Sequence, residues 1–127
     1  MSELIDDIKN YLVAQGIAIA TNVFLDSMPD EPNNCITIYE YPGKPGYVSM
    51  TNRNVQISLR NSAYSTGKTL INSIRNLLDD KNPEQIITLN VSRKAVFRAL
   101  QEPFKLRIDS KKRVIFACNF SVRTVRD

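Results

Sequence analysis

The chain has 127 residues, of which 43% are apolar and 24% charged, with a formal net charge of +4. That profile is an ordinary soluble globule, long enough to bury a core without staples. The absence of histidine removes the usual neutral-pH general base and every Ser-His or Cys-His nucleophile pair.

At this length one domain, residues 1–127, is expected. No apolar run approaches the length that spans a bilayer. The start is acidic and lacks the basic, then apolar, layout of a signal peptide, so cytoplasmic synthesis without export is expected. Residues 2–15 read as a helix. Leu4, Ile5, Ile8, Tyr11 and Leu12 recur at three- and four-residue spacing, Ser2 is placed to cap, and Glu3, Asp6 and Asp7 suit the positive helix start. Gly16 is the expected stop.

Val23, Phe24 and Leu25 form a short strand. A turn-rich loop with Pro29 and Pro32 leads to a strand over 35–41, where bulk on both faces places it inside a sheet. Residues 42–53 make a long connection broken by Pro42, Gly43, Pro45 and Gly46, read as a mobile arm that orders against a neighbour. Over 54–60, Val55, Ile57 and Leu59 face one way and Asn54, Gln56, Ser58 and Arg60 the other, which predicts one core face and one polar face open to solvent or to another subunit.

Residues 62–69 then read Ser-Ala-Tyr-Ser-Thr-Gly-Lys-Thr between a strand and a helix. The pattern approaches a phosphate-binding loop, but Ser62 stands where the first glycine belongs, and Ala63 and Tyr64 crowd a wrap that needs positive φ without a Cβ. No later strand offers an apolar run ending in an aspartate that could hold Mg²⁺. The expected reading is a helix over about 66–79, capped by Ser65 or Thr66, with Leu70, Ile71, Ile74, Leu77 and Leu78 as its apolar stripe. Pro83 follows its end.

Strands follow over 86–91 and 95–100. Residues 104–108 and 113–125 pair as a hairpin around 109–112, with Val114, Phe116, Cys118, Phe120 and Val122 alternating with Ile115, Ala117, Asn119, Ser121 and Arg123. Cys35 and Cys118 both fall in strands without metal-type spacing and read as free, buried, reduced thiols; neither a metal nor a cofactor is expected. The charge is uneven. Residues 1–92 hold seven Lys/Arg and ten Asp/Glu (−3), and residues 93–127 hold ten and three (+7), an asymmetry that can steer an acidic partner. The element order gives an α+β fold: a mixed, largely antiparallel sheet with two helices packed on one face. The other face and the edges need protection from aggregation, which oligomerisation supplies.

Several pieces in order resemble the tail-terminator proteins of long-tailed phages, also labelled minor capsid proteins. They are Gln15-Gly16-Ile17 at the end of the first helix; Asn22-Val23-Phe24 with Pro29 behind; Asn34 to Ile38 with Pro42-Gly43; Val55 to Arg60; Tyr64 opening the second helix; and Pro103 and Asp109 leading to Asn119-Phe120-Ser121-Val122. The likeness covers nearly the whole chain. The basic turn Lys111-Lys112-Arg113 departs from the Asp-Gly-type turn expected there.

The resemblance implies a structural, non-enzymatic subunit of the virion with no catalytic residues, made in the host bacterial cytoplasm and placed at the head–tail joint. Such subunits form a homo-oligomeric ring, usually a hexamer, on the last layer of the tail-tube protein. The ring ends tube growth and meets the head-neck connector protein. No membrane or specific nucleic acid is involved, although DNA passes through the hole, so excess cations are expected on an axial or outer surface. The candidate surfaces for subunit or partner contact are the arm with Gly43, Lys44, Tyr47 and Arg53, the polar face with Gln56, Ser58 and Arg60, and the basic turn Lys111, Lys112 and Arg113. The alternative is a small basic nucleic-acid-binding α+β domain using Arg93, Lys94, Lys111, Lys112 and Arg113, with Phe116 and Phe120 as the available stacking rings.

Overall fold

The computed structural model describes residues 4–41, 50–79, 86–90 and 93–126. The first helix, α1 (Leu4–Ala14), buries the stripe of Leu4, Ile5, Ile8 and Leu12 and ends where Gly16 turns to φ +78°. There the Gly16 N–H bonds Val13 O at 3.0 Å and the Ile17 N–H bonds Leu12 O at 3.2 Å. A left-handed residue closes the helix by satisfying its last carbonyls, and glycine reaches that conformation without a Cβ penalty. The expected Ser2 cap and the acidic Glu3 lie outside the described residues.

Among the described residues seven strands follow: β1 (Val23–Leu25), β2 (Cys35–Tyr41), β3 (Met50–Asn61), then, after α2 (Tyr64–Leu78), β4 (Ile87–Asn90), β5 (Arg93–Ala99), β6 (Phe104–Ile108) and β7 (Val114–Arg126). They make one mixed sheet in the order β1-β2-β3-β7-β5-β4, in which only β1 and β2 pair in parallel. Strand β7 is the spine. One of its sides pairs with β3 from residue 114 to 125, while the other is shared by β6 at residues 114–117 and β5 at 120–126. One end of the sheet therefore reads β1-β2-β3-β7-β6, with β1 and β6 as its lateral edges.

The two helices cover one face, as the sequence predicts. Beneath them Val23, Ile36, Leu59 and Phe116 stand in register across four strands. Ile57 and Cys118 make the next row and Val55 and Phe120 the one after, all with 0% exposure. Phe97 meets Phe120 edge to face at 6.1 Å between centroids. Each such side chain removed from water contributes roughly 1.5–3 kcal/mol before entropy is charged against it.

The start of α2 differs from the expected one. The helix begins at Tyr64, its N-cap is Ala63, and no side chain caps it; Ser65 and Thr66 lie inside the first turn. Asn61 supplies the local order instead, because its Oδ1 accepts the Ala63 N–H at 2.9 Å. Strand β3 also starts earlier than its period-two pattern, since Met50 to Arg53 pair with Val125 to Val122 on β7.

Candidate assembly interface

The far face of the sheet carries the predicted polar row, but much of that row is interior. Thr37, Ser58, Arg60, Ile115 and Ala117 are all buried. Gln56 is half-buried and links two strands: its Nε2 donates to Asn119 Oδ1 at 3.0 Å, and its Oε1 accepts the Ser58 hydroxyl at 3.2 Å. Arg60, at 4% exposure, spends its guanidinium on main-chain carbonyls of residues 26–34. Its Nε bonds Asn33 O at 3.1 Å, and its Nη2 bonds Pro32 O at 2.6 Å and Asp30 O at 3.2 Å. These bonds satisfy a buried cation that would be costly alone. Arg60 thus holds the chain's own loop to its sheet and Ser58 is buried beside Gln56, whereas the sequence pattern places both on a surface open to water or to a neighbour.

The basic turn divides in the same way. Arg113, 5% exposed, is gripped by two carboxylates. Its Nε lies 2.8 Å from Asp109 Oδ2 and its Nη2 3.0 Å from Asp30 Oδ1, while Nη1 reaches Asp30 O at 2.7 Å and Asn33 Oδ1 at 3.2 Å. Lys111 pairs with the other oxygen of Asp30. Hydrogen bonds from Lys111 and Arg113 hold the Asp30 carboxyl below its usual range. Burial alone would raise Asp109, but bonds from the Arg113 backbone and side chain and from the Lys111 backbone together bring it below as well. Lys112 is exposed and sits at φ 62°. The turn therefore has the left-handed residue that an Asp-Gly turn would fill with glycine, filled here by lysine.

Arg53 lies near the start of β3 and pairs with Glu40 of β2 at 3.0 Å, with its side chain 36% exposed. Gly43, Lys44 and Tyr47 lie outside the described residues, as does most of the arm. Of the ten candidate positions, the structure brings Arg60, Lys111 and Arg113 together around residues 26–34, keeps Gln56 and Ser58 as a bonded pair on the far face, and sets Arg53 apart from both. The sequence reading passed over Asp30, Asn33 and Asp109, the acceptors that organise the cluster. The partners of Asp30 and Asn33 are up to 83 positions away, so nothing local announces those two, while Asp109 meets Arg113 four residues on.

The near-match to a phosphate loop has a packing role. The Gly67 N–H already bonds Ala63 O at 3.0 Å. A Cβ on Gly67 would stand 2.7 Å from Phe116 Cε2 and 3.0 Å from Asn61 Cβ, so glycine is there to let α2 approach β7 and β3. Lys68 lies over the Tyr64 ring at 5.9 Å.

The cations proposed for nucleic acid are largely engaged. Arg93 bonds the buried Asp7 carboxylate at 2.7 Å, and Lys111 and Arg113 are held as above. Phe116 and Phe120 are 2% and 0% exposed and offer no stacking face. Among the described residues no cluster of His, Cys, Asp or Glu could hold a metal ion, and no helix is long and apolar enough to cross a membrane. An apolar hollow of about 160 Å³ lies between the chain that enters β1 and α2, lined by Ile17, Ala18, Ile19, Ile36, Leu59 and Leu70 among others.

Seven of the described residues expose large apolar or aromatic side chains: Ile19, Tyr41, Tyr64, Ile86, Leu100, Leu106 and Ile108. Two of these, Leu106 and Ile108, stand on β6, the only described strand without a buried residue. A family model described as bacteriophage tail terminator protein matches residues 8–126. No curated protein matches the chain.

Proposed function

The chain belongs to the bacteriophage tail terminator family, and from that premise we propose that it closes into a ring on the end of the tail tube. It is a structural component of the virion. The ring, a hexamer in this reading, stops tube growth and offers its outer axial surface to the neck of the head. The observation that carries the proposal is the family match across residues 8–126.

The physics of the fold supports it. A ring requires a heterologous contact, in which two different surfaces of one subunit meet and rotation closes the circle. A lasting contact of this kind buries on the order of 1,000 Å² or more. The sheet has different lateral edges at its two sides, and the exposed apolar residues need cover. Lys112 is exposed and suits an acidic docking partner, either tube or neck protein. Internal engagement of Arg93, Lys111 and Arg113 lowers the cationic charge left to grip DNA, as a sliding genome requires.

Particles made without the protein test the reading. The expected micrographs show tails of uncontrolled length and heads left unjoined, with both defects repaired by adding purified protein. Tubes of normal length already attached to capsids would refute it.

A further inference from the structure

We infer that the lateral joint of the ring is a continuous β-sheet, in which edge strand β6 of one copy adds to edge strand β1 of the next. The inference rests on the ring reading and names the surface that makes the ring.

Strand β6 is paired on one side only, with β7, among the described residues. Its residues from Lys105 to Ile108 are all exposed, and it presents Leu106 at 49% and Ile108 at 55%. An exposed edge with apolar side chains is a template for another chain unless something covers it. Strand β1 is the matching bare edge, paired only with β2 among the described residues.

Strand polarity selects the partner. Strands β1, β2 and β7 run one way, and β3 and β6 the other. Placing copies side by side along the sheet, without turning either over, sets β6 antiparallel to the neighbouring β1. Antiparallel pairs are the slightly more stable kind. The remaining edge, β4, runs in the same direction as β1, would pair with it in parallel, and already buries Ile87 and Leu89.

Charge agrees with polarity. Strand β6 carries Lys105 and Arg107, both exposed and without an ion pair among the described residues. Strand β1 runs into Asp26, also exposed. A β6–β6 or β1–β1 contact would oppose like charges, whereas β6 on β1 joins opposite ones and repeats head to tail. The apolar hollow beside Ile19, on the β1 side, gives the neighbour's apolar side chains a place to pack.

Amide hydrogen exchange on the wild-type protein, free and assembled on tail tubes taken from particles that lack it, tests the joint. Segments 23–25 and 104–108 should exchange at least about tenfold more slowly in the assembled state, with 87–90 unchanged. Charge variants give an independent readout. Lys105→Glu with Arg107→Glu, and separately Asp26→Lys, should each fold yet lose about tenfold or more in ring closure, and an equimolar mixture should recover it. Rings that form without protection of either segment overturn this joint and leave the capping function standing. Protein that never assembles on tubes overturns both. A mixture that recovers only dimers overturns the head-to-tail arrangement.

Discussion

Replacing Gly67 by alanine sets two effects of known size against each other. Alanine in a helix interior is favoured over glycine by about 1 kcal/mol. The new methyl, however, would stand 2.7 Å and 3.2 Å from two carbons of the Phe116 ring and 3.0 Å from Asn61 Cβ. The ring cannot swing away freely, because it is 2% exposed and packed against Tyr64 at 5.4 Å between centroids. Asn61 is tied down by the bond from Ala63. Overpacking of this kind costs about 1–3 kcal/mol, and with neither neighbour free to yield we take the upper half of that range. The net expectation is a destabilisation of about 1–2 kcal/mol. Urea unfolding monitored by circular dichroism measures it, with Thr66→Ala, an exposed site in the same helix turn, as the control. A Gly67→Ala protein as stable as wild type, or more so, would refute the close-approach argument and return the glycine to a purely local role.

Lys112→Gly should act in the opposite sense, raising stability by about 0.5–1 kcal/mol in the same assay, because a non-glycine residue in the left-handed region carries a cost of about 1–2 kcal/mol that glycine's extra chain entropy only partly offsets. Asp30 and Asp109 have carboxyls held below their ordinary value of 3.8. A depressed folded value means that their stabilisation is complete above the unfolded value and drains away as pH falls through the folded one. The thermal midpoint should therefore drop as pH falls below about 4, and Asp109→Asn should shrink that drop; an unchanged pH profile in the variant would contradict the assignment. Burial pushes the Cys118 thiol up to about 11 and raises that of Cys35. Native protein at about pH 8 should then resist alkylation at both cysteines, while unfolded protein takes up label at once; fast native labelling at either would show that the site opens.

Period-two and three-to-four-residue patterns carried most of the fold. Strands β1 and β2 and the first arm of the terminal hairpin are legible to the residue, because turn residues or prolines bound each one. The start of β3 was not legible, because Met50 to Arg53 offer no apolar alternation and become a strand only through pairing with β7. The start of α2 was misread for a related reason. Ser65 and Thr66 are good capping residues by type, but Asn61 and the approach of Phe116 set the helix start instead. Most instructive are Arg60 and Arg113. Polar residues on a strand normally mean water or a partner, and only the fold brings residues 26–34 over them. Of the candidate surfaces, the basic turn was legible as a feature, but which of its cations remains available depends on Asp30, far away in the chain, as well as on Asp109 within the turn. The exposed strand β6 was legible only as half of a hairpin.

The position of β7 has a consequence for how the protein comes into being. Both halves of the sheet close on this one strand, so no subset of the preceding elements forms a complete core. Synthesis must reach residue 126 or thereabouts before the chain gains its native barrier to unfolding. Polypeptides cut short upstream of β7 have no stable shape with which to occupy a site meant for the intact subunit. Interrupted translation therefore leaves material for proteases and does not seed defective assemblies.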